Sequence, residues 1–207
     1  MTQPDSRERI LTGAFEMFSR FGIKSVTMDD IAKHLGMSKK TIYQFFRDKD
    51  EVIHTLIEKQ FQIDCAEFEA ISNTAPNVVE EVFAHMKKLH RMFTNANPNM
   101  FYDLRKHHPR SWDLVTRFKS DIVLGMVDRA LEKGKKDGLV RQDCNTKILS
   151  RLRIEEIEMG FNPAIFPPDQ YAILDIQIAM VEHFLYGICT LKGHKLINKL
   201  KEITEEE

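Results

Sequence analysis

The sequence predicts an all-α chain, and three observations carry that prediction. Apolar residues return every three or four positions along most of the chain, capping residues stand ahead of these runs, and no stretch alternates as a half-buried strand would.

In chain order, Pro4, Asp5 and Ser6 lead into a helix whose Ile10, Leu11, Ala14, Phe15, Phe18 and Phe21 define an apolar face, and Gly22 ends it. A connector at 23–26 follows. The next stretch, TMDDIAKHLGMSKKTIYQFFRDK at 27–49, reads as two short helices around a glycine turn. Thr27 with Asp30 three positions later has the form of a capping box. Met28, Ile31, Ala32 and Leu35 recur at helical spacing, and Gly36 stands where a left-handed residue ends a helix without a Cβ clash. Ser38 can cap the second helix, at about 39–46. That helix sets Ile42 and Phe46 on one side and leaves Lys39, Lys40, Thr41, Tyr43 and Gln44 on the others.

Two helices joined by a tight turn, the second carrying lysines, glutamine and hydroxyls outward, suit a DNA major groove. Lysine donates to guanine acceptors, glutamine pairs with adenine, and hydroxyls hold phosphates. A hairpin whose lysines are merely solvated fits the spacing equally well.

Asp48 and Glu51 repeat the capping signature and open a long helix with Val52, Ile53, Leu56, Ile57 and Phe61, running to about residue 71. Thr74 to Asn77 break it. Val78, Val79, Val82, Phe83, Met86, Leu89 and Phe93 mark the next helix, and residues 95–99 with Pro98 interrupt the pattern again. A short helix with Met100, Phe101 and Leu104 ends near His108, because Pro109 disfavours helical geometry in the residue before it. Trp112, Val115, Phe118, Ile122 and Met126 read as one long helix that stops at Asp137 and Gly138. Lys133, Lys135 and Lys136 in its last turns complement the helix dipole. A helix from Asn145 carries Ile148, Leu149, Leu152 and Ile157, and a proline-rich connection follows at 162–168. The final helix, about 169–192, bears two stripes: Leu174, Ile178, Val181, Leu185 and Ile188, and Ile173, Ile176, Met180, Phe184 and Leu191. It calls for cover on two faces, from its own core or from a partner subunit.

The segment SVTMDDIAKHLGMSKKTIYQFFRDKDEV, preceded by an amphipathic helix ending FSRFG, resembles the DNA-binding domain of TetR-family transcriptional regulators. Thr27, Ile31, Ala32, Gly36, Ser38, Thr41, Tyr43, Phe46, Lys49 and Val52 occupy that family's pattern, and the resemblance spans roughly residues 6–53. It implies a three-helix helix-turn-helix DNA-binding domain at 1–50 and a helical effector-binding and dimerisation domain at 51–207. By the same resemblance Thr27, Ser38, Thr41, Tyr43 and Lys49 contact phosphates, while Lys39, Lys40 and Gln44 face bases. Lys40 departs from the pattern, which often has a small residue there. Phe45 stands where a ring approaches DNA in relatives, but packing against Phe46 explains it equally well. The partners implied are double-stranded, palindromic operator DNA, a second copy through the last two long helices, and a small-molecule effector that releases a repressor. The alternative is a helical interaction module with a vestigial DNA-binding head.

Apolar and ring residues of the second half offer candidate effector contacts: Phe83, Met86, Phe93, Phe101, Trp112, Phe118, Met126 and Phe184. Any one of them fits ordinary core as well. Lys87, Lys88, Arg91, Arg105, Lys106 and Arg110 would favour an anionic effector if they converged.

The net charge of −1 excludes a uniformly basic nucleic-acid coat, so DNA contact must come from a local patch. Three scattered cysteines suit packing in a reducing compartment better than a disulfide framework. No apolar run reaches membrane-spanning length and MTQPDSRER lacks a signal core, which places the chain in the cytoplasm. The acidic tail, Glu205 to Glu207, reads as solvated. His107 with Asp103, or His85 with His90, lacks a third metal ligand, so neither metal nor cofactor is expected. No glycine-rich phosphate loop, G-x-S-x-G turn or H-E-x-x-H helix points to an enzyme.

Overall fold

A computed structural model describes residues 6–93, 97 and 99–203, with only the backbone at 89, 92 and 93. The acidic tail, Pro4 and Asp5, and most of the 95–99 break lie outside the described residues.

The described helices are α1 (Ser6–Phe21), α2 (Met28–Leu35), α3 (Lys39–Phe45), α4 (Lys49–Thr74), α5 (Val78–Phe93), α6 (Met100–His107), α7 (Pro109–Arg117), α8 (Leu124–Lys136), α9 (Thr146–Met159), α10 (Ile173–Ile188) and α11 (Leu191–Leu200). A π-helical segment, Phe118–Val123, separates α7 from α8. The described residues form no strand beyond one antiparallel bridge, Val140 with Cys189.

The chain divides into two compact units, one of Met1–Asp64 with Phe93–Arg117, the other of Cys65–Met92 with Phe118–Glu207. The division expected at residue 50 is not the one seen. The first turns of α4 and all of α6 and α7 cluster with the N-terminal helices because Val52, Ile53 and Leu104 are buried in that core and Met100, Trp112 and Val115 pack on it.

In the first unit, Ile10, Leu11, Ala14 and Phe18 of α1 meet Ile31 and Ala32 of α2, Ile42 of α3, and Phe46. Full burial of side chains of this size stabilises by about 1.5–3 kcal/mol each. Phe15 and Phe21, expected on the inner face of α1, are exposed instead. Ile10, Ala14 and Phe18 lie four residues apart on one line and Leu11 beside them, so Phe15 falls on the flank and Phe21 on the last turn. Asp103 of α6 accepts a hydrogen bond from the Lys24 backbone amide at 3.1 Å, and His108 pairs with Asp50 at the start of α4.

The second unit is built on Val78 and Val79 of α5, Leu131 of α8, Leu139, Val140, Phe184, Leu185, Ile188 and Ile197. Cys144 and Cys189 are buried in it, and burial, with Cys144 nearby, pushes the Cys189 thiol up to about 11.

The long helix expected through Trp112 and Met126 is present and contains a π-helical turn, where Lys119 pairs with Glu158 and the Phe118 ring lies 6.3 Å from that of Phe68. The final helix ends at Ile188 because the backbone there pairs sideways: Arg141 N–H donates to Ile188 O at 3.0 Å and Thr190 N–H to Leu139 O at 2.8 Å. Thr190 then caps α11 by accepting from the Gly193 amide. On α9, Ile148 and Leu152 face outward, Leu149 packs on the core, and Thr146, Ser150, Arg153 and Ile154 are buried.

Candidate nucleic-acid interface and ligand groove

The reading face begins with two local caps. Thr27 accepts from the Asp30 amide at 3.2 Å while the Asp30 carboxylate accepts from the Thr27 amide at 2.9 Å and from its hydroxyl at 2.6 Å, closing the capping box of α2. The hydrogen bonds from Thr27 hold the Asp30 carboxyl below the usual carboxylate range. Gly36 ends α2 at φ +64°, a conformation that costs most side chains and glycine very little. Met37 N–H then donates to Ala32 O at 2.9 Å, and Ser38 opens α3 by accepting from the Thr41 amide at 3.0 Å.

These caps fix how α3 faces outward. Ile42 is wholly buried, whereas Ser38, Lys39, Lys40, Tyr43 and Gln44 are exposed and Thr41 is half-buried beside the Ser38 hydroxyl at 2.8 Å. Among the described residues Lys40 and Gln44 make no side-chain hydrogen bond or ion pair. Lys39 is held by Asp29 at 2.7 Å, which raises its pKa, and its ammonium lies 6.0 Å from the Tyr43 ring. Phe45 packs against the head's core.

Lys49 stands apart from the other expected phosphate contacts. Its ammonium donates to Ile23 O and Val26 O, both at 2.7 Å, and so staples the α1–α2 connector to the start of α4; burial pulls its pKa down. The start of α4 is capped by Asp48, which accepts from the Glu51 amide at 2.8 Å, while Glu51 reaches the Arg47 amide at 2.7 Å, one residue earlier than a standard box.

The expected effector residues scatter. Phe101 and Trp112 belong to the first unit, where Trp112 packs on the head's core. Phe184 is buried beneath the Arg153 guanidinium, 5.9 Å from its ring, Phe118 stacks near Phe68, and Met126 is half-buried on α8. The Phe93 side chain lies outside the described residues. Phe83 and Met86 do converge, with Lys87, His90 and Arg91 of α5 and Ile178 of α10, on a groove of about 390 Å³ within the second unit. Sequence reasoning missed the lining roles of His90 and Ile178, although Phe83, Met86, Lys87, His90 and Arg91 all share one helical face by their spacing.

No described helix is long and apolar enough to cross a membrane, and among the described residues no three potential ligands gather to hold a metal ion.

A capped two-helix reading head with a polar, basic second helix, carried by an all-helical body, defines a helix-turn-helix transcriptional regulator. The profile described as "Bacterial regulatory proteins, tetR family" matches residues 10–56. The HTH-type transcriptional regulator SAR2658 of Staphylococcus aureus is 30% identical over 144 residues, covering 58% of this chain and 76% of that protein. The uncharacterized HTH-type transcriptional regulator YvaF of Bacillus subtilis is 25% identical over 186 residues, covering 87% and 94%. Among solved structures, SmeT of Stenotrophomonas maltophilia superposes with a TM-score of 0.63 at 19% identity, covering 91% of this chain and 92% of SmeT. The chain belongs to the TetR family of transcriptional regulators.

Proposed function

We propose that the protein is a homodimeric cytoplasmic repressor. Its paired α3 helices read the half-sites of a palindromic operator, and an effector in the second unit's groove releases it. The observation that carries this reading is the division of α3 into a buried Ile42 side and an outward side with Lys40 and Gln44 unpaired. Lys39, Lys40 and Gln44 face bases, and Thr27, Ser38, Thr41 and Tyr43 hold phosphates. Lys49 acts chiefly by holding the connector in place.

A second copy is supported by α9, whose Ile148, Leu152 and Met159 side chains are exposed in the single chain. Two-fold pairing of such a face gives two reading heads related as the halves of a palindrome are. SmeT is described as the repressor of a multidrug efflux pump, which supports repression as the mode. Release is a population shift: an effector that prefers the low-affinity conformation weakens operator binding by the ratio of its affinities for the two states.

Selection of genomic fragments with purified protein, followed by salt titration of the selected site, tests the reading. A small set of fragments should be enriched, affinity should fall steeply with salt, and Gln44→Ala should relax sequence preference at one position of each half-site. Equal affinity for every fragment, or none, overturns it.

A further inference from the structure

The groove of the second unit combines an apolar floor with a basic rim. Its apolar lining comes from Phe83 and Met86 on α5 and Ile178 on α10, all half-buried, while Lys87, His90 and Arg91 are exposed basic residues around it. Among the described residues, no acidic side chain lines it. The neighbouring Lys88 is engaged elsewhere, 2.6 Å from the Glu67 carboxylate and 4.6 Å from the Phe68 ring. The Glu67 carboxyl is held low first by Lys88 and less by Arg91.

Resting on the regulator reading above, we infer that the groove takes an amphipathic anion: an apolar body laid on Phe83, Met86 and Ile178, with one carboxylate or phosphate head held by Lys87 and Arg91. A neutral ligand makes no use of those two cations, and a cationic one meets like charge. Arginine and lysine donate in geometries that suit either acidic head, in pairs that solvent screens in part because both side chains are exposed. A volume of about 390 Å³ sits toward the lower end of the roughly 300–1,000 Å³ usual for small-molecule sites, so the body is a single short chain or ring system.

Four probes of equal chain length separate the possibilities: decanoate, decyl phosphate, decanol and decylammonium, titrated calorimetrically into the full-length protein below their micellar concentrations. Decanoate or decyl phosphate should bind best, the tighter of the two naming the head group. Lys87→Ala/Arg91→Ala should weaken the anions by about tenfold, the loss of two solvent-screened pairs, while leaving decanol within about twofold. Met86→Ser should weaken all four by removing apolar contact from the floor. Equal binding of decanol and decanoate, preference for decylammonium, or anion binding indifferent to the double variant overturns the inference. So does a double variant whose altered oligomeric state shows that a second copy covers the groove. Operator binding measured in parallel keeps the two proposals distinct. Intact, fragment-selective operator binding with no anion binding sinks the ligand class alone. Anion binding that leaves operator affinity unchanged upholds the ligand class and removes its role in release.

Discussion

The ammonium of Lys39 on the reading helix lies 2.7 Å from the carboxylate of Asp29 on the preceding one, and both side chains are at least half exposed. The lysine proposed to face bases is therefore already partnered before DNA arrives. Any guanine or phosphate must displace or share that carboxylate, and the Asp29 charge opposes phosphates generally. Asp29→Asn should raise affinity for non-cognate DNA about two- to fivefold at low salt and raise operator affinity less, narrowing the ratio between them. Filter-binding titrations on operator and scrambled duplex over a range of salt measure this. If both affinities fall or stay level, Asp29 does not restrain Lys39.

Lys49 gives the opposite expectation. With two of its protons directed at Ile23 O and Val26 O, its removal leaves two part-buried carbonyls of the α1–α2 connector unanswered. Lys49→Met should cost about 1–3 kcal/mol, seen as a fall of several degrees in Tm, and weaken operator binding through loosening of the head. The slope of log affinity against log salt should change by less than the one unit that a lost phosphate contact predicts. Undiminished stability with a full unit lost from the slope would show that Lys49 holds a phosphate instead.

What the sequence discloses about the head and what it conceals follow from distance along the chain. The Thr27–Asp30 box, the left-handed Gly36 and the Ser38 cap are settled within four residues, so their residue types alone locate α2 and α3. The Lys49 staple joins residues 26 and 23 positions apart, and the same lysine on a helix's first turn reads equally well as a phosphate ligand. The stop after Ile188 is longer-range still. It depends on Val140 pairing with Cys189 and on the Thr190 hydroxyl reaching Gly138 O at 2.8 Å, contacts that no periodicity in the final helix contains. The outward side of α9 is concealed for another reason, since spacing gives the stripe of Ile148 and Leu152 but not the side of the helix that the chain itself covers.

Glu81 contributes to the pH dependence of the second unit. Burial alone would raise its pKa, but the hydrogen bond from Ser72 at 2.6 Å, His85 at 3.9 Å and the charge of Lys133 outweigh it and leave the carboxyl below its ordinary 4.5. A carboxyl whose folded-state pKa is depressed adds stability above the unfolded value and loses it as pH falls through the folded one. Wild-type protein should therefore lose stability progressively below about pH 4.5, and Glu81→Gln should lose less over the same interval while starting lower at pH 7. Urea unfolding at a series of pH values reads both slopes. Parallel curves would mean that Glu81 titrates alike in the folded and unfolded states.

The face of α9 turned from its own core makes the strongest demand on a second copy. On the inward side Thr146 donates to Glu132 at 2.5 Å, Ser150 donates to Thr146 O at 2.6 Å, and Arg153 lies against Glu156 at 3.3 Å, so the protomer keeps polar groups there. Outward, Ile148 is 63% exposed and Leu152 48%, one turn apart. Side chains so exposed add little to the stability of one chain, so Ile148→Asp/Leu152→Asp should change the protomer's own stability by under about 1 kcal/mol. In a two-fold interface the same changes replace four apolar side chains at one seam with carboxylates. Burying charge where apolar contact is lost costs several kcal/mol, so dimerisation should weaken at least about a hundredfold. Sedimentation equilibrium should show monomers at concentrations where the wild type is dimeric, and operator binding should fall with it, since each monomer then grips a single half-site. A double variant that remains dimeric would remove α9 from the interface, and one that unfolds at pH 7 would show that the single chain needs these side chains for its own core.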